Sequence, residues 1–396
     1  MSRAILRDDQ GRPASSEPVV VYGAASLDYD FGPLHPLTPR RFGPAIELMR
    51  AVGATRFLEP PEATDEQLLR LHRPEYLETV KASSVDPDGP PRMGIGPGDC
   101  PAFPGMHEAS AAVAGGSIAA MDAILAGEAE HAFHPGGGLH HAMAAQASGF
   151  CIYNDVALAV ARARDARHRV LYADLDVHHG DGTEALFYED PQVLTVSIHE
   201  TGLALFPGTG FVEDSGAPGA AGSAVNVPLL PGSGDGSWLE AVTTLLPALA
   251  EAFRPTMLVT QHGCDSHAFD PLAHLVITTA AYWQADQLLD RIAHEHTGGR
   301  WLATGGGGYD VYRVVPRSWS LVWLAQAHRD PPGSIPVDWR ERWAGQAAEH
   351  HQSPPPEAFL DPPDLVGPEP PDLLEANRRT IQAALDQALR RMPRPA

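Results

Sequence analysis

The sequence predicts an α/β protein whose central parallel β-sheet is covered by helices on both faces. Short apolar runs rich in β-branched residues alternate along the chain with longer segments of helical periodicity. Strands that are separated by helices favour parallel pairing. Polar residues follow several of the apolar runs. Because ligands bind outside the carboxyl ends of the strands in such sheets, the active site is expected at that edge.

Composition and periodicity also predict the individual elements. Five apolar runs are predicted strands, at residues 19–22, 169–172, 193–198, 256–260 and 301–303. Segments with apolar residues at helical spacing are predicted helices, at residues 44–52, 65–71, 74–82, 107–125, 156–164, 238–253, 280–296 and 373–391. Asp372 is expected to cap the last helix.

The composition changes beyond about Asp330, where proline pairs punctuate an acidic stretch. Such a stretch predicts a linker that is wrapped on the surface or loosely ordered. Residues 1–330 are therefore expected to form one domain, and residues 331–396 a proline-rich C-terminal extension that ends in a helix.

The net charge of −22 restricts the classes of partner. An acidic surface repels phosphate backbones and anionic lipids, so we expect no nucleic-acid and no membrane partner. Residues 109–127 are the most membrane-like stretch, but Asp122 interrupts them, and a buried helix explains them better. The three cysteines form no Cys-x-x-Cys pair, and an odd, sparse set indicates a reducing compartment. The N-terminal segment lacks the apolar core of a signal peptide, which predicts a cytoplasmic location.

Residues 174–178 are the strongest candidate for a metal site. Alternate side chains leaving a strand point the same way, so Asp174, Asp176 and His178 can converge. Carboxylates and a neutral imidazole suit Zn²⁺ or another divalent metal, and this ligand set also suits Fe²⁺. A polar turn at a strand end is the alternative interpretation. Asp265 is a candidate third ligand, although a lone Asp there is more often a turn former.

Two further loops carry groups that suit acid–base chemistry. His140 and His141 follow glycines 136–138, and an imidazole titrates near neutrality; a solvated pair of loop histidines is the alternative. Tyr309 follows glycines 305–308 and could donate its hydroxyl to a developing oxyanion, or simply pack over a flexible turn. No Lys-Ser/Thr pair follows these glycines, which argues against a phosphate-binding loop.

Together these segments resemble the histone deacetylase superfamily, which has the arginase/deacetylase fold. The resemblance runs from about Tyr22 to Arg317, and within the superfamily the sequence is similar to bacterial acetoin-utilisation proteins, through residues 99–108 and 140–143. Five motifs in the family's order are harder to match by chance than any one of them. They are Gly138-Leu139-His140-His141, Ser148-Gly149-Phe150-Cys151, Asp174-x-Asp176-x-His178-His179-Gly180-Asp181-Gly182, Phe206-Pro207-Gly208-Thr209-Gly210 and the glycine run that ends at Tyr309.

The resemblance makes residues 1–330 a histone-deacetylase-like catalytic domain and implies roles for single residues. The implied zinc ligands are Asp176, His178 and Asp265. The implied catalytic residues are His141 as general base, Asp181 as the carboxylate that orients it, His140 paired with Asp174, and Tyr309 as oxyanion donor. The implied substrate-binding residues are Asp99 at the rim, Phe150 and Phe206 as tunnel walls, Gly149, which leaves room beside them, and Leu272, which follows the Asp270-Pro271 pair. Arg41 lies where the family has an arginine on an acetate exit path.

The resemblance also implies two structural potassium ions, bound partly by backbone oxygens. The residues of the first site are Asp174, Asp176, His178, Ser197 and Ile198. The residues of the second site are Phe187, Asp190, Val193 and Ser223.

The implied function is zinc-dependent hydrolysis of acetyl-lysine in proteins, with release of acetate and a link to acetoin or acetate metabolism. The implied partner is an acetylated metabolic enzyme such as acetyl-CoA synthetase; the oligomeric state is not predicted. Acetylpolyamine hydrolysis is the main alternative, but Leu272 stands where some relatives carry an acidic residue. His140, His141 and Tyr309 argue against a binuclear manganese ureohydrolase on the same fold. A non-catalytic binder of acetyl-amines would lack a ligand, the base or the tyrosine, and none is missing.

Overall fold

The computed structural model describes residues 17–392, whose strands form one sheet. The strands are β1 (Val19–Val21), β2 (Phe57–Leu58), β3 (His131–His134), β4 (Val170–Asp174), β5 (Val193–Glu200), β6 (Ala224–Leu229), β7 (Met257–Gln261) and β8 (Trp301–Thr304). Their order is β2-β1-β3-β8-β7-β4-β5-β6, and all neighbouring strands are parallel. The predicted parallel sheet is confirmed.

Helices connect the strands and cover both faces of the sheet. They are α1 (Phe42–Ala51), α2 (Asp65–Leu68), α3 (Pro74–Val85), α4 (Met106–Leu125), α5 (Asp155–Asp165), α6 (Asp181–Phe187), α7 (Asp235–Phe253), α8 (Thr279–His296), α9 (Val315–Gln326), α10 (Val337–Glu349) and α11 (Pro371–Arg391). Every predicted strand and helix is present. The capping role predicted for Asp372 is wrong, because the N-cap position of α11 is Pro370 and Asp372 lies inside the first turn.

The sequence-based prediction lacks three strands, β2, β3 and β6, and three helices, α6, α9 and α10. β3 has a histidine at each end and no β-branched residue, so it does not have the composition of a typical strand. β6 carries Pro228, which is tolerated because β6 is an edge strand. α9 is buried along its whole length and therefore has no polar face to reveal a helical period.

Alternate residues of the central strands pack on opposite faces of the sheet. Leu171 and Ala173 of β4 join a core with α1, α7, α8 and α9, whereas Val170 and Tyr172 join a core with α4 and α5. α4 is long and apolar enough to cross a membrane, but 72% of its most apolar window is buried within the fold. Its packing is that of the buried helix expected from the sequence.

The strand ends that lead to the candidate site are aligned. His134, Thr304, Gln261 and Asp174 are register partners across β3, β8, β7 and β4. The four loops that follow these residues therefore start from one line at the carboxyl edge of the sheet.

The segment after residue 330 packs on the rest of the chain. Trp339, Phe359 and Ile381 belong to the largest hydrophobic core. Asn377 of α11 is buried, and its Nδ2 donates to the hydroxyl of Ser233 at 2.6 Å. Of the two predicted alternatives, a segment wrapped on the surface fits this packing, and a domain boundary at residue 330 stays a prediction.

A buried ion pair joins this segment to α9. Nη1 of Arg317 lies 2.8 Å from Oδ1 of Asp361, and the two side chains are only 1% and 5% exposed. Oδ2 of Asp361 accepts hydrogen bonds from His267 and from the amide and hydroxyl of Thr279. Burial alone would raise the pKa of Asp361, but His267 and Arg317 lower it well below its usual value. Asp361 is therefore a buried charge that needs its partners.

Replacing Arg317 by Met should destabilise the protein by about 3 kcal/mol, because breaking a buried pair leaves an uncompensated charge. The expected cost is near the lower end of the usual range, since His267 and Thr279 still contact Asp361. The measurement is the free energy of unfolding in urea. Arg378→Met is the matched control: it breaks the exposed Arg378–Glu240 pair and should change little. Equal stability of both variants would show that the buried pair does not hold the C-terminal segment.

Candidate active site

The predicted zinc ligands, the two adjacent histidines and the predicted oxyanion donor lie on the loops that follow four adjacent strands. β4 follows β3 along the chain, but β8 and β7 lie between them in the sheet. Such a break in strand order leaves a crevice at the carboxyl edge of a parallel sheet. The residues at this crevice are His140 and His141 after β3, Asp176 and His178 after β4, Asp265 after β7 and Tyr309 after β8.

Three side chains converge as a candidate metal site. Nδ1 of His178 lies 3.0 Å from Oδ1 of Asp176 and 3.1 Å from Oδ2 of Asp265. All three ligand atoms lie within 4.8 Å of one another, and the three residues are buried. Four tetrahedral ligands at about 2.0–2.1 Å from zinc would be spaced by about 3.3 Å. The observed spacing therefore fits a divalent metal held by three protein ligands, the number typical of a catalytic site.

Backbone and amide groups hold the two carboxylates in this arrangement. Oδ2 of Asp176 accepts from Nε2 of Gln261 and from the amide of Gly307, both at 2.8 Å. Oδ1 of Asp265 accepts from the amide of Val177 at 3.0 Å. A Cβ at Gly307 would lie 1.9 Å from Oδ2 of Asp265, so only glycine lets this loop approach so closely. These contacts orient the ligands as the outer shell of a metal site does.

The charges at this site call for a cation. Burial and the charge of Asp176 raise the pKa of Asp265 to about 6. Burial would also raise the pKa of Asp176, but His140, His178 and Gln261 lower it well below its usual value. Two neighbouring buried carboxylates repel each other, and a bound divalent ion removes that repulsion.

The two adjacent histidines each pair with a different carboxylate. Nδ1 of His140 lies 2.7 Å from Oδ2 of Asp174, and Nδ1 of His141 lies 2.6 Å from Oδ1 of Asp181. The two Nε2 atoms are 3.0 Å apart and both residues line the same cavity. Asn154 fixes the loop, because its Nδ2 donates to the carbonyl oxygen of His140. The structure thus brings together both of the pairs that the resemblance implies.

Their environments shift the two pKa values in opposite directions. Burial lowers the pKa of His140, but Asp174, Asp176 and Asp181 more than compensate and raise it to about 9. Burial and the charge of His140 lower the pKa of His141 to about 4, despite Asp181. At neutral pH His141 is therefore able to accept a proton, while His140 carries one.

Tyr309 lines the same cavity from the opposite loop. Burial and the charges of Asp265, Asp176 and Asp270 raise the pKa of its phenol well above 10. Oδ2 of Asp270 accepts from the Tyr309 amide at 2.9 Å and so fixes the loop. The phenol stays protonated at neutral pH and can donate a hydrogen bond to a developing negative charge.

A cavity of about 250 Å³ leads from the surface to the candidate metal site. Its lining includes Phe150, Phe206 and Leu272, and the exposed Asp99 lies at its rim. A carboxylate oxygen of Asp99 accepts from the amide of Gly149 at 2.6 Å. A Cβ at Gly149 would lie 2.2 Å from Cδ2 of His141, so this glycine makes room beside the imidazole. All five predicted substrate-binding residues therefore share this cavity.

The residues of the first predicted potassium site lie around β4 and β5. Asp174 and Ser197 are register partners, and Ile198 follows in β5. Oδ1 of Asp174 accepts from the amide of Asp176 at 3.2 Å. The other carboxylate oxygen of Asp174 accepts from Tyr172 and faces His140. The neighbourhood is as implied, and the ion itself stays a prediction.

The second predicted potassium set lies on three consecutive segments. Phe187 ends α6, Asp190 and Val193 form the turn into β5, and Ser223 precedes β6. The amide of Val193 donates to the carbonyl of Asp190 at 3.2 Å. Within residues 17–392 the buried hydroxyl of Ser223 has no hydrogen-bond partner, which suits an additional ligand. Ion binding here also stays a prediction.

Four residues that shape the site are absent from the sequence-based prediction. Gln261 ends β7 and contacts Asp176, a position that the pattern of polar residues at strand ends could have revealed. Asp155 accepts from the amides of Gly138 and Leu139, partners that nothing in the local sequence indicates. Tyr172 donates to Asp174, two residues further along the same strand, and the strand period of two could have revealed this contact. Asp270 supports the Tyr309 loop from a distant turn.

Comparison with known proteins gives a consistent result. The family model described as histone deacetylase domain matches residues 35–326. The acetoin utilization protein AcuC of Bacillus subtilis is 39% identical over 376 residues, which cover 93% of this chain and 96% of that protein. The AcuC protein of Staphylococcus aureus (strain MSSA476) is 37% identical over 345 residues, which cover 85% of this chain and 88% of that protein.

A solved structure gives the same result for the fold. The crystal structure of an HDAC homolog complexed with SAHA aligns with a TM-score of 0.80 and 26% identity, over 93% of this chain and 99% of that one. The fold expected from the resemblance is therefore confirmed.

Replacing Gly307 by Ala should lower the affinity for the metal by about 10–100-fold or more, because the new Cβ collides with the carboxylate of Asp265 and disturbs the hydrogen bond to Asp176. The measurement is metal content after dialysis against graded chelator. Gly345→Ala in α10 is the control, since a Cβ there meets no atom within 4 Å. Undiminished metal retention in Gly307→Ala would exclude Asp265 and Asp176 as joint ligands.

Proposed function

Because this chain belongs to the histone deacetylase family and is a hydrolase that acts on amide bonds, we propose that it removes the acetyl group from acetyl-lysine in proteins. The single observation that carries the proposal is one cavity with apolar walls. The candidate metal site, His140, His141 and Tyr309 all lie at this cavity. The products are lysine and acetate.

The family is metal-dependent, and we propose that Zn²⁺ is the resident metal, held by Asp176, His178 and Asp265. When bound, it would polarise the acetyl carbonyl and lower the pKa of water. Fe²⁺ suits the same ligands, and metal analysis of protein purified without added zinc distinguishes the two. Potassium ions at the two implied sites would have a structural role.

In this proposal His141 removes the proton from the attacking water, because its lowered pKa keeps it neutral. Asp181 holds the imidazole in the required tautomer through Nδ1. Tyr309 donates its hydroxyl to the oxyanion that forms. His140 keeps its positive charge nearby, so the proton that His141 has gained is released readily to the leaving amine.

The shape of the cavity supports an acyl-lysine substrate. Phe150, Phe206 and Leu272 provide apolar walls that suit the methylene stem of lysine. Asp99 at the rim suits the backbone amides of a peptide. Leu272 offers no negative charge to a polyamine, which favours a peptide over acetylspermidine.

We also propose the client and the location. The relatives' name, acetoin utilization protein, supports an acetylated enzyme of acetoin or acetate metabolism, such as acetyl-CoA synthetase. The sparse cysteines, none in a Cys-x-x-Cys pair, suit a reducing compartment and support a cytoplasmic location for this chain. A chain with a net charge of −22 is poorly suited to nucleic acid, which argues against chromatin as the target.

Replacing Tyr309 by Phe should lower kcat for an acetyl-lysine peptide by about 100-fold or more, as expected for the loss of one oxyanion donor. The metal content should not change, because the hydroxyl is not a metal ligand. Tyr22→Phe is the control, since Tyr22 packs on Phe42 away from the cavity. Unchanged turnover in Tyr309→Phe would exclude the oxyanion role.

Parallel assays with an acetyl-lysine peptide and acetylspermidine, with and without chelator, test the substrate class. We expect chelator-sensitive acetate release and a higher kcat/KM for the peptide. Leu272→Glu should shift the ratio about tenfold towards acetylspermidine, since one nearby carboxylate can attract a cation by more than 1 kcal/mol. Leu272→Gln, equal in size but neutral, should not.

Two other outcomes would overturn the proposal. A wild-type preference for acetylspermidine would make the chain a small-amine deacetylase. Binding of acetyl-lysine without any acetate release would make it a non-catalytic binder.

A further inference from the structure

A second cluster of metal-ligand side chains lies at the opposite end of the sheet from the active site. It consists of His131, Asp290, His294 and His328, which we call the histidine cluster. His131 is the first residue of β3, whose other end leads to the active-site loop. The cluster is thus separated from the active centre by the length of a strand.

Three structural elements contribute to the histidine cluster. Asp290 and His294 are four residues apart on α8 and therefore share one face of the helix. His328 follows the end of α9, where its backbone turns into the left-handed region at a φ of 54°. His131 comes from the sheet and is almost completely buried. The chain brings these side chains together by tertiary packing.

The ligand atoms are close enough together for one ion to contact all four. Nε2 of His294 lies 3.3 Å from Nε2 of His131 and 3.0 Å from Nε2 of His328. Oδ1 of Asp290 lies 3.6, 3.3 and 3.1 Å from the Nε2 atoms of His131, His294 and His328. Four ligands at about 2.0–2.1 Å from a zinc ion would have separations of about 3.3 Å. Five of the six edges are therefore close to those of a zinc tetrahedron.

We propose that His131, Asp290, His294 and His328 bind a second Zn²⁺ ion, which has a structural role. Three imidazole nitrogens and one carboxylate oxygen suit zinc and related transition metals rather than Mg²⁺ or Ca²⁺, which require oxygen ligands. A closed set of four protein ligands leaves no open position for water, which is typical of structural sites and not of catalytic ones.

Hydrogen bonding accounts for only part of this arrangement, in which Nε2 of His328 can donate to Oδ1 of Asp290 at 3.1 Å. Each neutral imidazole has one N–H, and a hydrogen bond between two ring nitrogens needs one donor and one lone pair. Here three Nε2 atoms and one carboxylate oxygen lie within 4.8 Å of one another, so a single ion among them would be bound by all four. Burial lowers the pKa of His131 to about 3, despite Asp290, and this keeps its imidazole in the neutral form that binds metals.

The histidine cluster is also accessible to an ion. A surface cavity of about 340 Å³ is lined in part by Asp290 and His328, whose side chains are 19% and 12% exposed. The buried His131 would be the innermost ligand. A bound ion would tie α8 and the end of α9 to the start of β3, and so would stabilise the folded chain.

The test is the zinc content of the full-length chain, purified without a polyhistidine tag and dialysed after loading with excess Zn²⁺. We expect two equivalents per chain, and one equivalent for the double variant His294→Ala, His328→Ala. The double variant should keep its deacetylase activity, because the active-site ligands are untouched. Zinc should also raise the melting temperature of Asp265→Ala, in which the active site is disabled.

His296→Ala is the matched control, because this histidine lies on the same helix but outside the histidine cluster. It should bind two equivalents. A wild-type chain that retains only one equivalent would overturn the proposal, and this result does not depend on whether the double variant folds. Two equivalents in a folded double variant would also overturn it.

Discussion

The active centre depends on one electrostatic constraint: two carboxylates, Asp176 and Asp265, are buried side by side with an imidazole between them. Burying an unpaired charge costs several kcal/mol, and a second like charge nearby increases that cost. A divalent cation bound between the two carboxylates would attract both charges and so offset the cost of burying them. The same constraint explains why glycine lies beside these carboxylates. Without a Cβ, the backbone comes close enough for an amide to donate to a carboxylate and hold it in place.

The same constraint explains the difference between the two adjacent histidines. His140 lies towards the buried carboxylates Asp174 and Asp176 and therefore holds a proton, whereas His141 is buried beside that positive charge and therefore loses its own. Two residues of the same type, one position apart, thus acquire opposite roles from their surroundings. The apolar cavity walls formed by Phe150, Phe206 and Leu272 lower the local polarity, which strengthens each of these interactions.

Much of this arrangement could be predicted from the sequence, and the exceptions have physical causes. Apolar runs predicted β4, β5, β7 and β8, and the polar residues that follow these runs predicted the edge of the sheet at which the active-site residues lie. β3 was not predicted because its two histidines do not fit a strand pattern, although both His131 and His134 are buried by tertiary packing. Asp155 was not predicted because nothing in the local sequence indicates that it accepts from the amides of Gly138 and Leu139. Gln261 was detectable only as one more polar residue at the end of a strand.

The aligned register of the strand ends has a consequence for how the protein reaches its native state. Parallel strands must find partners that are far apart in the chain, and a slip of one residue moves a strand by about 3.3 Å and turns its side chains to the other face. Metal–ligand distances must be correct to within about 0.2 Å, so such a slip would prevent metal binding. Only a correctly paired sheet can therefore bind the ion. Binding shifts the equilibrium between correctly paired and misaligned molecules towards the correctly paired ones. A metal bound at this site would thereby favour molecules whose strands are correctly aligned.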